Sequence, residues 1–275
     1  MRYKFVLFIL ISIALARFCH YTTDGFTMEK VRSNTFVSEN SESPPFDQEL
    51  VREKFYYLAR GKESFAFVSQ DGKRVLKLFN NRLQRKRSFY RYFPFFSDQV
   101  RELEKKLEKK RLSYELADKL LHNETALIYT HLYPTNHLKS EVTLVDKLGI
   151  EHRLNLDETG FVVQKKAELI YPALLECRKR GEGREVIFQL VTLLALRHKK
   201  GIADNDPLLR TNCGFIDGTP VLLDLGPFSQ DARCQNPGYY IPEILRITES
   251  LKTWLQIHYP ERLPDLEEAL SEIAL

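Results

Sequence analysis

Between Gly201 and Phe228 the chain carries Asp204, Asp206, Asn212 and Asp224. Carboxylate and amide oxygens are ligands for hard divalent cations. Mg²⁺ beside a polyphosphate needs only one or two of them, because the phosphates supply the rest. Asp217-Gly218 stands between two apolar runs, a strong hairpin signal, so Cys213–Ile216 and Pro220–Leu223 are expected to pair. That pairing puts Asn212 at the start of the first strand and Asp224 at the exit of the second, near one end of the hairpin. The plainer reading is a polar loop and an ordinary hairpin, with Asp and Asn chosen for turn chemistry. On this stretch alone the two readings weigh evenly.

The elements that would position such a site read as follows. Phe55–Ala59, Ser64–Ser69 and Arg74–Phe79 are expected as strands, with Gly61 in the first turn and Gln70-Asp71-Gly72-Lys73 in the second. Lys77 stands in the third strand, flanked by Leu76 and Leu78; a Lys on the polar side of a half-buried strand is commonplace. Asp98 opens a long helix to about His122. Leu103, Leu107, Tyr114, Ala117 and Leu121 line one side of it, and Leu112, Leu116 and Leu120 widen that side. Strands are expected over Thr125–Leu132, Val142–Lys147 and Gly160–Glu168, then helices over Ile170–Lys179 and Arg184–Lys199. The last is densely apolar and closes on Lys199-Lys200-Gly201, a C-terminal cap with favourable charges. Pro242–His258 and Leu263–Leu275 end the chain as helices, the first opened by its proline.

In this order (turn, Lys strand, long helix, Asn, hairpin, Asp) the sequence resembles the protein-kinase-like superfamily. That family's catalytic loop ends in a metal-binding Asn, and a strand–turn–strand leads to Asp-Phe-Gly, whose Asp holds Mg²⁺. Asn212 matches the first, and Asp224-Leu225-Gly226 matches the second with Leu for Phe. Val75-Leu76-Lys77 matches Val-Ala-Ile-Lys. Ala59-Arg60-Gly61-Lys62-Glu63-Ser64 occupies the place of the Gly-rich loop with one of its three glycines. The family pattern puts the catalytic Asp five residues before the Asn, a position held here by Pro207; Asp206 lies one residue too far and Asp204 three.

The resemblance covers roughly Phe55 to Cys234. It implies a two-lobed α+β fold: an antiparallel-sheet small lobe with one long helix over 49–168, and a reduced, mainly helical large lobe over 169–275. It also implies ATP and Mg²⁺ as cofactors, with transfer of the γ-phosphate to an acceptor hydroxyl. Lys77, paired with a helix Glu, would bind the inner phosphates; Glu115 is the choice, with Glu108 and Glu104 open. Asn212 and Asp224 would hold the metal, and Asp206 or Asp204 would orient the acceptor. Gly61 and Ser64 would sit over the phosphates, and Gln164, with Lys165 and Lys166, would meet the adenine where the chain passes between lobes. Two other classes stay open: an inactive pseudokinase-like binding or scaffold domain at a bacterial envelope or host interface, and an unrelated α+β envelope protein.

Composition bounds these readings. The 275 residues suit a two-lobed protein, and a net charge of +4 is too mild to imply nucleic acid. Four cysteines lack the spacing of a zinc site or the density of a disulfide scaffold, which leaves room for one or two bridges. At the start, Arg2 and Lys4 precede an apolar run, Phe5–Ala16, interrupted only by Ser12, with Ala14-Leu15-Ala16 as a cleavage motif. Residues 1–19 are expected as a secretory signal or a membrane anchor. The signal is favoured because the run is short of a bilayer span unless the chain past Arg17 is recruited. The protein is then exported or membrane-associated, with anchoring of a cytoplasmic domain as the alternative. Residues 20–48 read as a polar linker ending near Ser43-Pro44-Pro45. Arg82–Phe96 interleaves basic and aromatic residues, which suits a membrane surface or an anionic partner. A solvated turn with aromatics packed beneath is preferred.

Overall fold

Phe65 and Phe67 are buried while Ser64, Ala66 and Val68 are half-buried. This period of two is what a strand with one face on a core requires. β1 (Phe55–Arg60), β2 (Ser64–Ser69) and β3 (Arg74–Phe79) form where the sequence places them, to within a residue. The structure, a computed structural model, describes residues 2–32, 36 and 45–273; the Ser43-Pro44 pair of the expected connector lies outside the described residues. β1–β2 and β2–β3 are antiparallel, with Lys77 opposite Ala66.

An N-terminal helix α1 (Arg2–Thr22) precedes these strands. After them come α2 (Arg82–Arg91), α3 (Ser97–Leu120), β4 (Leu127–His131), β5 (Glu141–Val145), β6 (Glu151–Asn155) and β7 (Phe161–Lys165). The sheet order is β4-β7-β3-β2-β1-β5-β6, with β1–β5 parallel and β5–β6 antiparallel. The rest of the chain gives β8 (Glu168–Leu169), α4 (Ile170–Arg180), α5 (Arg184–Lys199), β9 (Ile202–Asp204), α6 (Leu209–Asn212), β10 (Cys213–Ile216), β11 (Thr219–Leu222), β12 (Phe228–Gln230), α7 (Pro237–His258) and α8 (Leu263–Glu272). β8, β10 and β11 make one small sheet, β9 and β12 another.

The chain divides into two units: Met1–Leu107 with Tyr129–Val163, and Glu108–Ile128 with Gln164–Leu275. An antiparallel-rich sheet with a long helix, followed by a mainly helical unit, is the α+β element order that the kinase-like resemblance implies. The boundaries differ from 168/169. One falls at Val163/Gln164, and Glu108–Ile128 joins the second unit because its side chains and carbonyls bond there. Ser113 Oγ donates to the Leu225 carbonyl (2.5 Å), and Lys200 Nζ donates to the Leu120 carbonyl (2.7 Å) and pairs with Glu124 (2.6 Å).

Several expectations need correction. Residues 20–32 are not a free linker: Phe26 and Val31 are buried. The first helix runs unbroken through Arg17 to Thr22. Arg82–Arg91 is helix rather than turn, and Phe89, Tyr92, Phe93 and Phe95 are exposed rather than packed beneath it. On α3 the narrow stripe from Leu103 to Leu121 is buried, but Leu112 and Leu120 are exposed. α7 starts at Pro237, capped by the Asn236 side chain, so Pro242 lies inside the helix instead of opening it. α8 ends at Glu272; Ala274 and Leu275 lie outside the described residues.

Candidate functional site

α5 is buried along Ile187, Leu190, Val191, Leu193 and Leu194 and closes with the Gly201 N–H on the His198 carbonyl (2.8 Å). The chain then reverses into β9, which pairs with β12 so that Asp204 faces Phe228. This reversal carries Asp204 back beside α5, where Arg197 Nη1 donates to its carboxylate at 2.8 Å with side-chain exposures of 1% and 5%. Burial raises the Asp204 carboxyl above its usual range, against the pull of Arg197; Asp224 and Asp206 nearby raise it further. Its other oxygen accepts the Asp206 N–H (2.9 Å). Both oxygens of Asp204 are thus committed within the fold.

Asp206, two residues on, is exposed. Its carbonyl accepts from Leu208 N–H (2.8 Å) and from Asn212 Nδ2 (2.7 Å), so the loop folds back and ties the Asn212 side chain to the Asp206 backbone. Asn212 Oδ1 accepts from Thr211 Oγ1 (2.9 Å). The hairpin forms as the Asp-Gly signal requires: Cys213 pairs with Leu222 and Ile216 with Thr219, and the turn holds Asp217 at φ 49° and Gly218 at φ 81°. Beyond the ladder, Leu223 N–H donates to the Asn212 carbonyl at 2.7 Å. Asp224 therefore leaves the hairpin next to Asn212 and is exposed, with Oδ1 on the Gly226 N–H (3.1 Å). Leu225 is buried, and Ser113 clamps this exit by donating to the Leu225 carbonyl and accepting the Phe228 N–H (2.8 Å).

The second unit thus gathers Asp204, Asp206, Asn212 and Asp224. The oxygens of Asn212 and Asp224 at one hairpin end are a donor set suited to Mg²⁺ with phosphate completing the shell. Among the described residues, no group of three or more His, Cys, Asp or Glu is placed to hold a metal ion by itself. A groove of about 910 Å³ in this unit opens beside the same loop, lined by Pro207, Leu208 and Arg210 together with Tyr171, Arg246 and Trp254.

The other expected residues divide between the units. In the first, Gly61 N–H donates to the Ser64 carbonyl (2.8 Å), closing a tight turn between β1 and β2, and Lys77 is half-buried on the neighbouring β3. In the second, Glu115 accepts from Arg111 Nη1 (2.5 Å), and Arg111 also pairs with Glu108. Gln164 is buried, its Nε2 donating to the Thr125 carbonyl (2.8 Å), and the Lys165 N–H is spent on the Ala126 carbonyl (2.9 Å). Sequence reasoning missed Arg197 and Ser113. A guanidinium directly after the apolar run Leu193–Leu196 was the available signal for the first; no signal marked the second.

No family model matches the chain, and no curated protein matches it. Solved structures to which it is similar include WbdD, elsewhere described as a bifunctional kinase-methyltransferase, at 12% identity and TM-score 0.38 over 79% of this chain and 46% of that one. Rv3197 of Mycobacterium tuberculosis, in complex with erythromycin, is similar at 14% identity and TM-score 0.39 over 80% and 56%. APH(2")-IIa, in a ternary complex with streptomycin and ATP, is similar at 13% identity and TM-score 0.34 over 84% and 91%. The chain spans about half the length of the first two. At such TM-scores these likenesses carry no functional weight.

Proposed function

We propose that this chain is a kinase-like ATP-using protein that transfers the γ-phosphate to a hydroxyl acceptor with Mg²⁺. The observation that carries the reading is the Asn212 side chain bonded to the Asp206 backbone, with Leu223 N–H on the Asn212 carbonyl. This ties a metal-type Asn, an exposed Asp and the Asp224 exit into one loop system. Bound Mg²⁺ would neutralise the charge on the β- and γ-phosphate oxygens. Asn212 and Asp224 would supply oxygen ligands to it, and Asp206 would accept the proton of the acceptor hydroxyl as that oxygen bonds to the γ-phosphorus and ADP leaves. Of the two base candidates Asp206 is the choice, since Asp204 is buried against Arg197. The groove beside Pro207 is where an acceptor would lie. Cytoplasmic ATP places both units on that side of a membrane, so in this reading α1 anchors rather than exports.

A second reading, a nucleotide-binding scaffold without turnover, is favoured by Pro207 standing where the catalytic Asp belongs. ATP hydrolysis by the parent and by Asp206→Asn separates the two. The transferase reading expects a rate loss on the order of 10²–10⁴ with nucleotide binding retained. Equal turnover in both removes Asp206 as base, and binding without turnover in either leaves the scaffold.

A further inference from the structure

Three features of the first unit meet at one end of α1. The helix is long and apolar enough over Lys4–Thr22 to cross a membrane, and none of that stretch is buried. At about 1.5 Å per residue it spans roughly the 30 Å of a bilayer interior. Its C-terminal end is fastened to the sheet. Gly25 N–H donates to the His20 carbonyl (2.8 Å), and Arg60 Nη1 to the Asp24 carbonyl (3.0 Å). The Asp24 carboxylate accepts from Tyr57 (3.0 Å) and Lys147 (2.9 Å), and Phe26 packs edge-on against Phe65 and Phe67.

The same short stretch also holds the start of α2. Asn81 donates its N–H to the Lys30 carbonyl and its Nδ2 to the Glu29 carbonyl (2.9 Å each), and Arg85 pairs with Glu29 (2.8 Å). α2 therefore begins beside the point where the chain leaves α1. From Arg82 to Phe96 the chain has Arg82, Arg85, Lys86, Arg87 and Arg91 and no acidic residue. Arg82, Arg85, Lys86 and Phe89 follow the i, i+3, i+4 spacing of one helix face, and Phe93 stands in extended backbone just past the helix end. Phe89, Tyr92 and Phe95 are 58%, 82% and 73% exposed, and Phe93 lies beside them. Large exposed rings are costly in water unless something covers them. Cations interleaved with aromatics are the composition of a helix lying in a lipid headgroup layer, and basic clusters next to a membrane helix favour anionic lipid.

We propose that α2 and the following turn, Pro94–Phe96, lie on the bilayer that α1 enters. The cations sit on anionic phospholipid headgroups, and Phe89, Tyr92, Phe93 and Phe95 reach the boundary with the acyl chains. The occupant of this face is lipid rather than nucleic acid or an acidic protein, because α1 brings a bilayer to it. This inference does not use the nucleotide reading, and either can fail without the other.

The test uses the full chain in nanodiscs of phosphatidylcholine, alone or with about 30% phosphatidylglycerol. A fluorophore is placed by Ser88→Cys in a Cys19→Ser background, the other three cysteines being buried. Quenching by headgroup nitroxide lipid is expected to be severalfold stronger with phosphatidylglycerol. It is expected to fall to the phosphatidylcholine level in R82E/R85E/K86E, with the circular dichroism unchanged. Quenching that is independent of phosphatidylglycerol or of charge reversal overturns the proposal. So does loss of quenching on adding RNA or polyglutamate at constant ionic strength, which would assign the face to another polyanion. If the triple variant misfolds, Phe89→Ser/Phe95→Ser decides: retained quenching overturns, and lost quenching supports.

Discussion

Asp204, the last residue of β9, and Asp206, in the loop that follows, stand two residues apart and have opposite fates. Asp204 is sealed in the second unit with Arg197, both side chains at most 5% exposed, while Asp206 is exposed with its backbone tied to Asn212. A carboxylate locked in an ion pair holds the loop and is unavailable to a substrate; one in solvent is available and contributes little to stability. The difference teaches that burial and partner, not proximity to a motif, sort acidic residues into scaffold and chemistry.

The largest effect is expected from breaking the buried pair. Arg197→Met leaves Asp204 buried and unpaired and should cost about 3–5 kcal/mol, read by urea denaturation; Arg197→Met with Asp204→Leu should recover much of it. An Arg197→Met loss under about 1 kcal/mol would mean the pair is not desolvated. Next is His198, beside Arg197 and stacked on Tyr240. Burial, then the Arg197 charge, pushes its imidazole down to about 4, with Glu243 opposing. The unfolded chain therefore takes up a proton that the fold refuses. The stabilisation is complete above the ordinary histidine pKa of about 6.5 and is lost as pH falls from there to about 4, by roughly 2–3 kcal/mol. His198→Gln should flatten that part of the stability–pH curve, and an unchanged slope would show the titration lies elsewhere.

Gly214 tests the hairpin that carries Asn212 and Asp224. A Cβ there would lie 2.6 Å from the Glu168 carbonyl oxygen, because β10 runs close to β8. Gly214→Ala should cost about 1–3 kcal/mol by thermal denaturation, and no loss would show that the small sheet yields freely. The smallest effect on stability sharpens the comparison most. Asp206→Asn and Asp224→Ala, both at exposed side chains, should each stay within about 0.5 kcal/mol of the parent. A loss approaching that of Arg197→Met would place them with Asp204 as scaffold.

Much of this was legible because it rests on local period or turn chemistry. Phe65 and Phe67 alternate with smaller residues, α5 is apolar on nearly every turn, and Asp217-Gly218 demands its hairpin. β6 carries no clear period, since Glu151-His152-Arg153-Leu154-Asn155 has one buried apolar residue; the turn before it is held by Asp146, whose side chain accepts the Leu148 and Ile150 N–H groups. β9 and β12 are three residues each and exist only by pairing with one another. The Arg197–Asp204 pair depends on the reversal at Gly201, and the Ser113–Leu225 bond joins residues 112 apart, which no window of sequence contains. The exposed aromatics of Arg82–Phe96 depart from the expected packed turn because composition suggests a helix no better than a turn, and the Asn81–Lys30 bond at the start of α2 joins residues far apart in sequence.

The most direct measurement is the unfolding free energy of the full chain with ATP, with and without Mg²⁺, in the parent and in Asp224→Ala. Parent stability should rise with Mg·ATP by about 2.7 kcal/mol at a hundredfold excess over the dissociation constant. That gain should shrink without the metal and disappear in the variant. An unchanged parent, or an Asp224→Ala chain that gains as much as the parent, would contradict the account.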